Sequence, residues 1–293
     1  LRISRERKTM IRKKIPRWLA GGLFILFGVA ICLPVLMLVS GSLADGYEWR
    51  QRTIGYLRET QEYISWRWIP DYPTLEHYKR LLFFSPAFFK LFWNSIGMTA
   101  GILLGQLVIA VPAAWAFAMY RFRGKRVLFS LYVILMLLPF QVTMLSKYLV
   151  LQDAGLINTR WAVILPAIFS TFPVFLIYRS FAAIPAELLE AARVDGAGEW
   201  QSFVRVGMPV AQGGILAAMI LSFLESWNMM EEPLTFLQDK SLWPLSLYLP
   251  EIAMDQAGYA CAASVITLTV SLFVFAIFHD ALEQGIVTSG LKA

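Results

Sequence analysis

The sequence predicts an all-α, polytopic membrane protein with six transmembrane helices, and three observations carry that prediction. The 293 residues are 58% hydrophobic and only 16% charged, where an ordinary soluble domain has about 25% charged residues. The mean hydropathy is +0.59. Six stretches lack Asp, Glu, Lys and Arg, and each is long enough to cross hydrocarbon as a helix, which takes about 20 residues. A soluble globule of this length could not bury so many apolar side chains in its core. With 21 Phe, 10 Trp and 11 Tyr the chain is not disordered, and two cysteines cannot build a disulfide scaffold. The apolar runs are continuous and do not alternate, which argues against a β-barrel.

In chain order the stretches are Trp18–Ala44, Leu91–Tyr120, Val127–Ser146, Trp161–Tyr178, Val206–Leu224 and Gln256–His279. The fifth opens on a turn-like Val206-Gly207-Met208-Pro209, so its helix is expected to start near Pro209 and run past Glu225 towards Asn228. Prolines inside the stretches (Pro34, Pro112, Pro139, Pro166, Pro173) are compatible with bundled membrane helices, where neighbouring groups satisfy the freed carbonyls. The first apolar run exceeds the 7–15 residues of a secretory h-region, so it is expected to stay as a helix.

Charge sets the orientation. Residues 1–17 carry a net +7 and the segment after the second stretch +4, from Arg121, Arg123, Lys125 and Arg126. The loop between the fourth and fifth stretches and the tail each carry −1. On the other side, segment 45–90 and the loop around Lys147–Arg160 carry +1 each, and the segment from Glu225 to Asp255 carries −5. Basic residues gather on the cytoplasmic side of membrane proteins, so both termini are expected there. This surplus calls for lipid headgroups and for no nucleic acid. The expected organisation is a basic cytoplasmic terminus (1–17), a first span (18–44), a periplasmic loop (45–90), a core of five spans (91–281) and a cytoplasmic tail (282–293). The aromatic cluster Phe83, Phe84, Phe88 and Phe89 fits an interfacial belt, while Trp49, Trp66, Trp68, Tyr72 and Tyr78 fit either a belt or a docking surface.

Enzymatic and metal chemistry find little support. Cys32 and Cys261 sit in apolar runs, where packing is the ordinary role of a cysteine. His77 and His279 are far apart, and neither an HExxH nor a CxxC pattern occurs. The phosphate-binding GxxxxGK[ST] loop is also missing, so no nucleotide is expected to bind through such a loop here.

The most informative segment is the cytoplasmic loop 182–209. Its residues Ile184–Pro209 read IPAELLEAARVDGAGEWQSFVRVGMP. Pro185 suits a first helical turn, and Glu187 is favourable near the positive end of the helix dipole. Leu188, Leu189, Ala191 and Ala192 are good helix formers. Asp195-Gly196 breaks the helix, with Gly196 suited to a left-handed cap. A second amphipathic turn follows through Trp200, Phe203, Val204 and Val206. Such a helix pair can simply cover the end of a bundle. The pair Ala191-Ala192 also offers a smooth face for a second backbone, with Glu190 as a charge beside it.

Glu190-Ala191-Ala192, Gly196 and Pro209 resemble the EAA loop of ABC importer permeases, whose pattern is EAA-x3-G-x9-I-x-L-P. Val206 and Met208 stand where Ile and Leu are usual. Glu225-Ser226-Trp227-Asn228, followed by Pro233–Asp239 and Leu245, resembles the end of the fifth span in carbohydrate permeases of the maltose type, and the tail Gly285–Ala293 is similar to theirs. Within that group the chain looks closest to the smaller permease subunit of an alginate-oligosaccharide importer. The resemblance covers most of the chain from about Tyr78 onward. It implies a type I ABC importer permease fold and one half of a heterodimeric translocation path. The implied partners are a second permease, two ATPase subunits that bind ATP and Mg, a periplasmic solute-binding protein, a sugar substrate and the membrane. No cofactor is implied for this chain.

By the same resemblance, Glu187, Glu190, Ala191, Ala192, Asp195, Gly196 and Pro209 belong to the ATPase-coupling element. The segment from about Met229 to Pro250, with Phe236, Gln238, Asp239 and Lys240, either docks the binding protein or serves as a re-entrant or capping loop. Polar residues within spans are candidates for the sugar path: Asn94, Gln141, Thr143, Ser170, Thr171 and Asn228. Each is equally suited to an interhelical hydrogen bond. Two other readings are a secondary transporter, which needs a coupling-ion site of interior acids, and an ABC permease for a solute other than sugar. Glu225 is the one acid near a span interior.

Overall fold

A computed structural model of the chain describes residues 17–57, 68–252 and 256–290. The expected basic segment 1–16, Trp66 and the last three residues of the tail lie outside the described residues. The described residues are almost wholly helical, and their one β pairing is an isolated antiparallel bridge between Ala44 and Pro73. Four helical stretches are long and apolar enough to cross a membrane: Gly21–Leu43, Pro86–Met119, Arg160–Ala182 and Ala257–Asp280. Two bent helix pairs bring the number to six if each is one span.

The chain divides into two units, residues 1–77 with 255–262 and residues 78–254 with 263–293. In the first, α1 (Arg17–Leu43) is apolar on all sides, with Phe24 77% and Ile31 71% exposed. A helix without a polar face is stable only when surrounded by hydrocarbon or other helices. The segment after α1 is not an open loop. Helix α2 (Gly46–Leu57) folds back so that the Trp49 indole donates to the Gly41 carbonyl at 2.9 Å, and the Thr74 N–H donates to the Leu43 carbonyl at 2.7 Å. Glu48 pairs with Arg52 one turn along, both buried, and also accepts the Asp71 N–H at 3.2 Å.

The second unit is built around α4 (Pro86–Met119), which follows the short α3 (Glu76–Phe84). Ser85 caps α4 by accepting the Phe88 N–H, and Pro86 takes a first-turn position where no donor is needed. Helices α7 (Arg160–Ile168), α8 (Thr171–Ala182) and α12 (Gln212–Trp227) pack along α4. Of the predicted belt, Phe83 and Phe84 are exposed, but Phe88 is 1% exposed and stacks on Phe92 at 6.1 Å. It is a core residue, because the turn of α4 that carries it faces inward.

The third predicted span, Val127–Ser146, is not one helix. It forms α5 (Lys125–Met136) and α6 (Phe140–Asp153), bent by 105°. Pro139 sits at the break with extended backbone (ψ 150°), and it also disfavours helical backbone at Leu138 before it. The fourth span is interrupted at Phe169-Ser170, where Pro173 cannot return a hydrogen bond to the Phe169 carbonyl. The fifth, α12, begins at Gln212, close to Pro209, and runs past Glu225 to Trp227 as expected. Residues Glu199–Val210 form α10 (Glu199–Gln201), a π-helical turn over Ser202–Gly207 and α11 (Met208–Val210), and this stretch lies at 73° to α12. The sixth continues as α14 (Ala257–Gly290) beyond its predicted end.

Candidate functional site

At the Trp115 end of α4, residues Ala186–Val194 form α9. The helix starts after Pro185, which caps it in extended conformation and so lies one position outside the predicted first turn. Glu187 occupies the first turn, where the helix dipole favours an acid. At the other end Gly196 has φ +83°. Its N–H donates to the Arg193 carbonyl at 3.0 Å and the Ala197 N–H to the Ala192 carbonyl at 2.9 Å. Those two bonds are the Schellman closure, which needs a left-handed residue at Gly196.

Leu189 and Ala192 are the buried residues of α9. Leu189 joins a core cluster with Ile184, Phe181, Trp115 and Phe203. The Trp115 ring meets Phe181 edge-on at 5.1 Å and Phe203 at 5.4 Å. A Cβ at Gly207 would overlap the Trp115 ring, so the π-helical turn approaches α4 as closely as glycine allows. Glu187, Leu188, Glu190, Ala191, Arg193 and Val194 face outward. The predicted smooth face of Ala191-Ala192 therefore needs correcting. Successive helical residues point about 100° apart, so Ala191 is outside while Ala192 packs inward. Asp195 is exposed beside the cap, and Pro209 lies in α11 rather than on α9.

At the opposite end of α4, segment 237–245 is tied down by side chains of other elements. Asn94, 0% exposed, donates to the carbonyls of Ser241 at 2.9 Å and Trp243 at 3.1 Å, and its carbonyl accepts from Arg160 at 2.6 Å. The Ser95 hydroxyl accepts the Leu245 N–H at 2.7 Å. Asn158, at φ +60°, accepts the N–H groups of Gln238 and Asp239 at 3.0 and 2.8 Å. Gln238, Asp239 and Lys240 are exposed, but Phe236 is 0% exposed and packs with Leu151, Ala162 and Phe140. Phe236 thus cannot be a docking contact and supports the segment from beneath. The backbone N–H of Ser241 and then its hydroxyl hold the Asp239 carboxyl below the usual value for an aspartate.

Between the two ends lies a cavity of about 380 Å³, bounded by α4 to α8 and α12 together with α13 (Glu231–Phe236). Thr143, Ser170 and Thr171 line it, as the path assignment expects. The other three polar residues of that assignment do not. Asn94 is spent on the 237–245 segment, Gln141 donates to Glu231 at 2.8 Å, and Asn228 donates to the Leu224 carbonyl of its own helix at 2.8 Å. Lys147, Glu225 and Glu232 line the cavity with Gln106 and Ser222. Apart from Glu225, these four escaped sequence reasoning. Lys147 and Glu232 were counted as loop charges, and Gln106 and Ser222 are single polar residues in long apolar runs. Asn158 was also missed, although its place before Thr159 in a Gly155–Asn158 turn is a common left-handed position. Among the described residues no group of His, Cys, Asp and Glu is arranged to hold a metal ion.

Comparison with known proteins identifies the family of the chain. A family model described as "binding-protein-dependent transport system inner membrane component" matches residues 97–288, and the chain belongs to that family. It is a membrane permease component of an ABC-type transport system. The chain is similar to an arabinooligosaccharides transport system permease protein of Halalkalibacterium halodurans, 28% identical and covering 76% of this chain and 81% of the relative. It is also similar to a diacetylchitobiose uptake system permease protein of Streptomyces coelicolor, 27% identical over 92% and 86%. Among solved structures, a bacterial ABC transporter involved in the import of the acidic polysaccharide alginate matches with a TM-score of 0.77, 21% identity and coverage of 93% of this chain and 99% of that one. At that identity the match establishes a shared ABC importer permease fold.

Proposed function

We propose that this chain is one of two permease subunits in an ATP-driven importer of a sugar or oligosaccharide, and that α9 is its contact with the motor. The single observation that carries the reading is the construction of α9. It starts directly after Pro185 and is closed at its carboxyl end by the Schellman bonds, presents Glu187, Glu190 and Ala191 outward, and is rooted through Leu189 in the aromatic cluster around Trp115. A rigid helix anchored in this way transmits displacement to the bundle instead of absorbing it.

In this reading two partner ATPase subunits bind ATP and Mg, and Glu190 pairs with a basic residue of one of them. Closure of the ATPases pushes α9, and α4, α8 and α12 move with it as packed elements. A second permease completes the path, and a periplasmic binding protein delivers sugar to the side bearing Gln238, Asp239 and Lys240. In this reading both termini lie in the cytoplasm, which the basic surplus of residues 1–17 supports. The oligosaccharide names of the curated relatives support the sugar class.

The test is crosslinking from position 191. In a background of Cys32→Ala and Cys261→Ala, an Ala191→Cys variant expressed with its native partners should form a covalent adduct with an ATPase subunit. Absence of any nucleotide-hydrolysing adduct in intact cells, with the variant inserted normally, overturns the assignment of α9.

A further inference from the structure

The cavity beside α4 has a chemistry that the permease reading does not use. Its charged groups are two carboxylates, Glu225 on α12 and Glu232 on α13, against one ammonium, Lys147 on α6. Lys147 Nζ lies 5.2 Å from the centroid of the Phe140 ring, which is also part of the wall. Two polar side chains of the same wall are almost wholly buried and incompletely satisfied. Gln106, 3% exposed, donates its amide N–H to the Ala167 carbonyl at 2.9 Å, and its own oxygen has no protein partner. The hydroxyl of Ser222, 2% exposed, has none either. Buried polar atoms left open in this way call for an explanation, and both residues line the cavity.

The open groups are mostly acceptors. An ionised carboxylate accepts and cannot donate, and an amide oxygen also accepts. They match a ligand that brings many O–H donors. Phe169 and Phe172 add apolar wall for the C–H face of a ring. The volume lies in the range of about 300–1,000 Å³ typical of small-molecule sites. A ring bearing its own carboxylate would bring a negative charge to a site whose formal balance is already one negative charge. Such like-charge contacts are unfavourable.

We propose that this cavity is a sugar subsite within this subunit, and that Glu225 and Glu232 make it select uncharged sugar rings over uronic acids. The proposal rests on the permease reading and narrows its substrate class to uncharged sugars. It separates this chain from the alginate importer whose fold it shares.

The experiment uses the full complex purified with its ATPase and second permease in lipid nanodiscs at low ionic strength. Maltotriose and trigalacturonate serve as probes, with binding followed by saturation-transfer NMR. Maltotriose should bind about tenfold or more tightly than trigalacturonate, from like-charge repulsion of this order. In an E225Q/E232Q variant, which keeps side-chain size, the gap should shrink to about threefold or less. Equal binding, tighter trigalacturonate, no binding of either probe, or an unchanged preference in the double variant overturns the subsite. The ATPase recovered in the same preparation keeps the two readings apart. If it co-purifies and the sugar preference fails, only the subsite is lost, whereas its absence counts against the permease assembly itself.

Discussion

Asn94 reaches 147 positions along the sequence to donate its side-chain amide to the Ser241 carbonyl at 2.9 Å. The same nitrogen also serves Trp243, and the amide oxygen takes a bond from Arg160, so one buried side chain joins α4, α7 and the 237–245 segment. The amide that the sequence offered to a sugar is here committed to holding segment 237–245 in one shape.

That commitment predicts the effect of removing it. Asn94→Ala should leave buried carbonyls without donors and destabilise the subunit by about 1–3 kcal/mol. A lower midpoint in detergent thermal unfolding checks this. In the assembled importer, stimulation of ATPase by sugar-loaded binding protein should also fall, because Gln238, Asp239 and Lys240 lose their fixed position. An unchanged midpoint would show that the clamp contributes nothing.

The cap of α9 gives a second prediction. Gly196 stands at φ +83°, where a side chain costs about 1–2 kcal/mol. Gly196→Val should therefore loosen the end of α9 and reduce transport per ATP hydrolysed, with insertion unaffected. Gly196→Pro cannot adopt this φ at all and should uncouple completely. Uptake and phosphate release measured together in proteoliposomes decide it, and wild-type coupling in the proline variant would refute the lever.

The exposed acid of the same helix predicts a charge-dependent contact. Glu190→Lys should insert normally yet lower transport at least tenfold, since a reversed charge at a close interface costs more than about 1.4 kcal/mol. Restoration by a reversed charge on the ATPase would identify the partner residue. Normal transport by Glu190→Lys alone would remove the ion pair from the mechanism.

Trp115 predicts a different phenotype, because it lies beneath α9 instead of on its outer face. Trp115→Ala should cost about 3–5 kcal/mol, the usual loss for a large buried aromatic. Its effect should appear first as loss of folded protein. Recovery of both folding and coupling by Trp115→Phe is the expected outcome, and a gel-filtration profile with an uptake assay measures it.

Much of this was legible in the sequence. Gly196 announced its left-handed turn because Asp-Gly after a run of helix formers has few other solutions, and α9 appeared within a residue or two of its expected bounds. Phe88, Phe236 and Ala192 were misplaced for one reason. Residue type shows that a side chain is apolar, but the rotation of its helix against a neighbour decides whether it faces lipid, a partner or the core. The bend between α5 and α6 was missed because Pro139 is tolerated within membrane helices, and nothing local says whether it kinks the path or breaks it.

The sequence by itself determined the class of the molecule. Hydropathy, charge asymmetry and the spacing around Glu190, Gly196 and Pro209 are local or additive properties, and they survive without coordinates. The tertiary structure alone decided which polar side chains share a space. Gln106, Lys147, Glu225 and Glu232 come from four helices, and only packing across α4 sets them around one cavity. Long-range juxtaposition is a matter of how helices cross, which no single stretch of chain encodes.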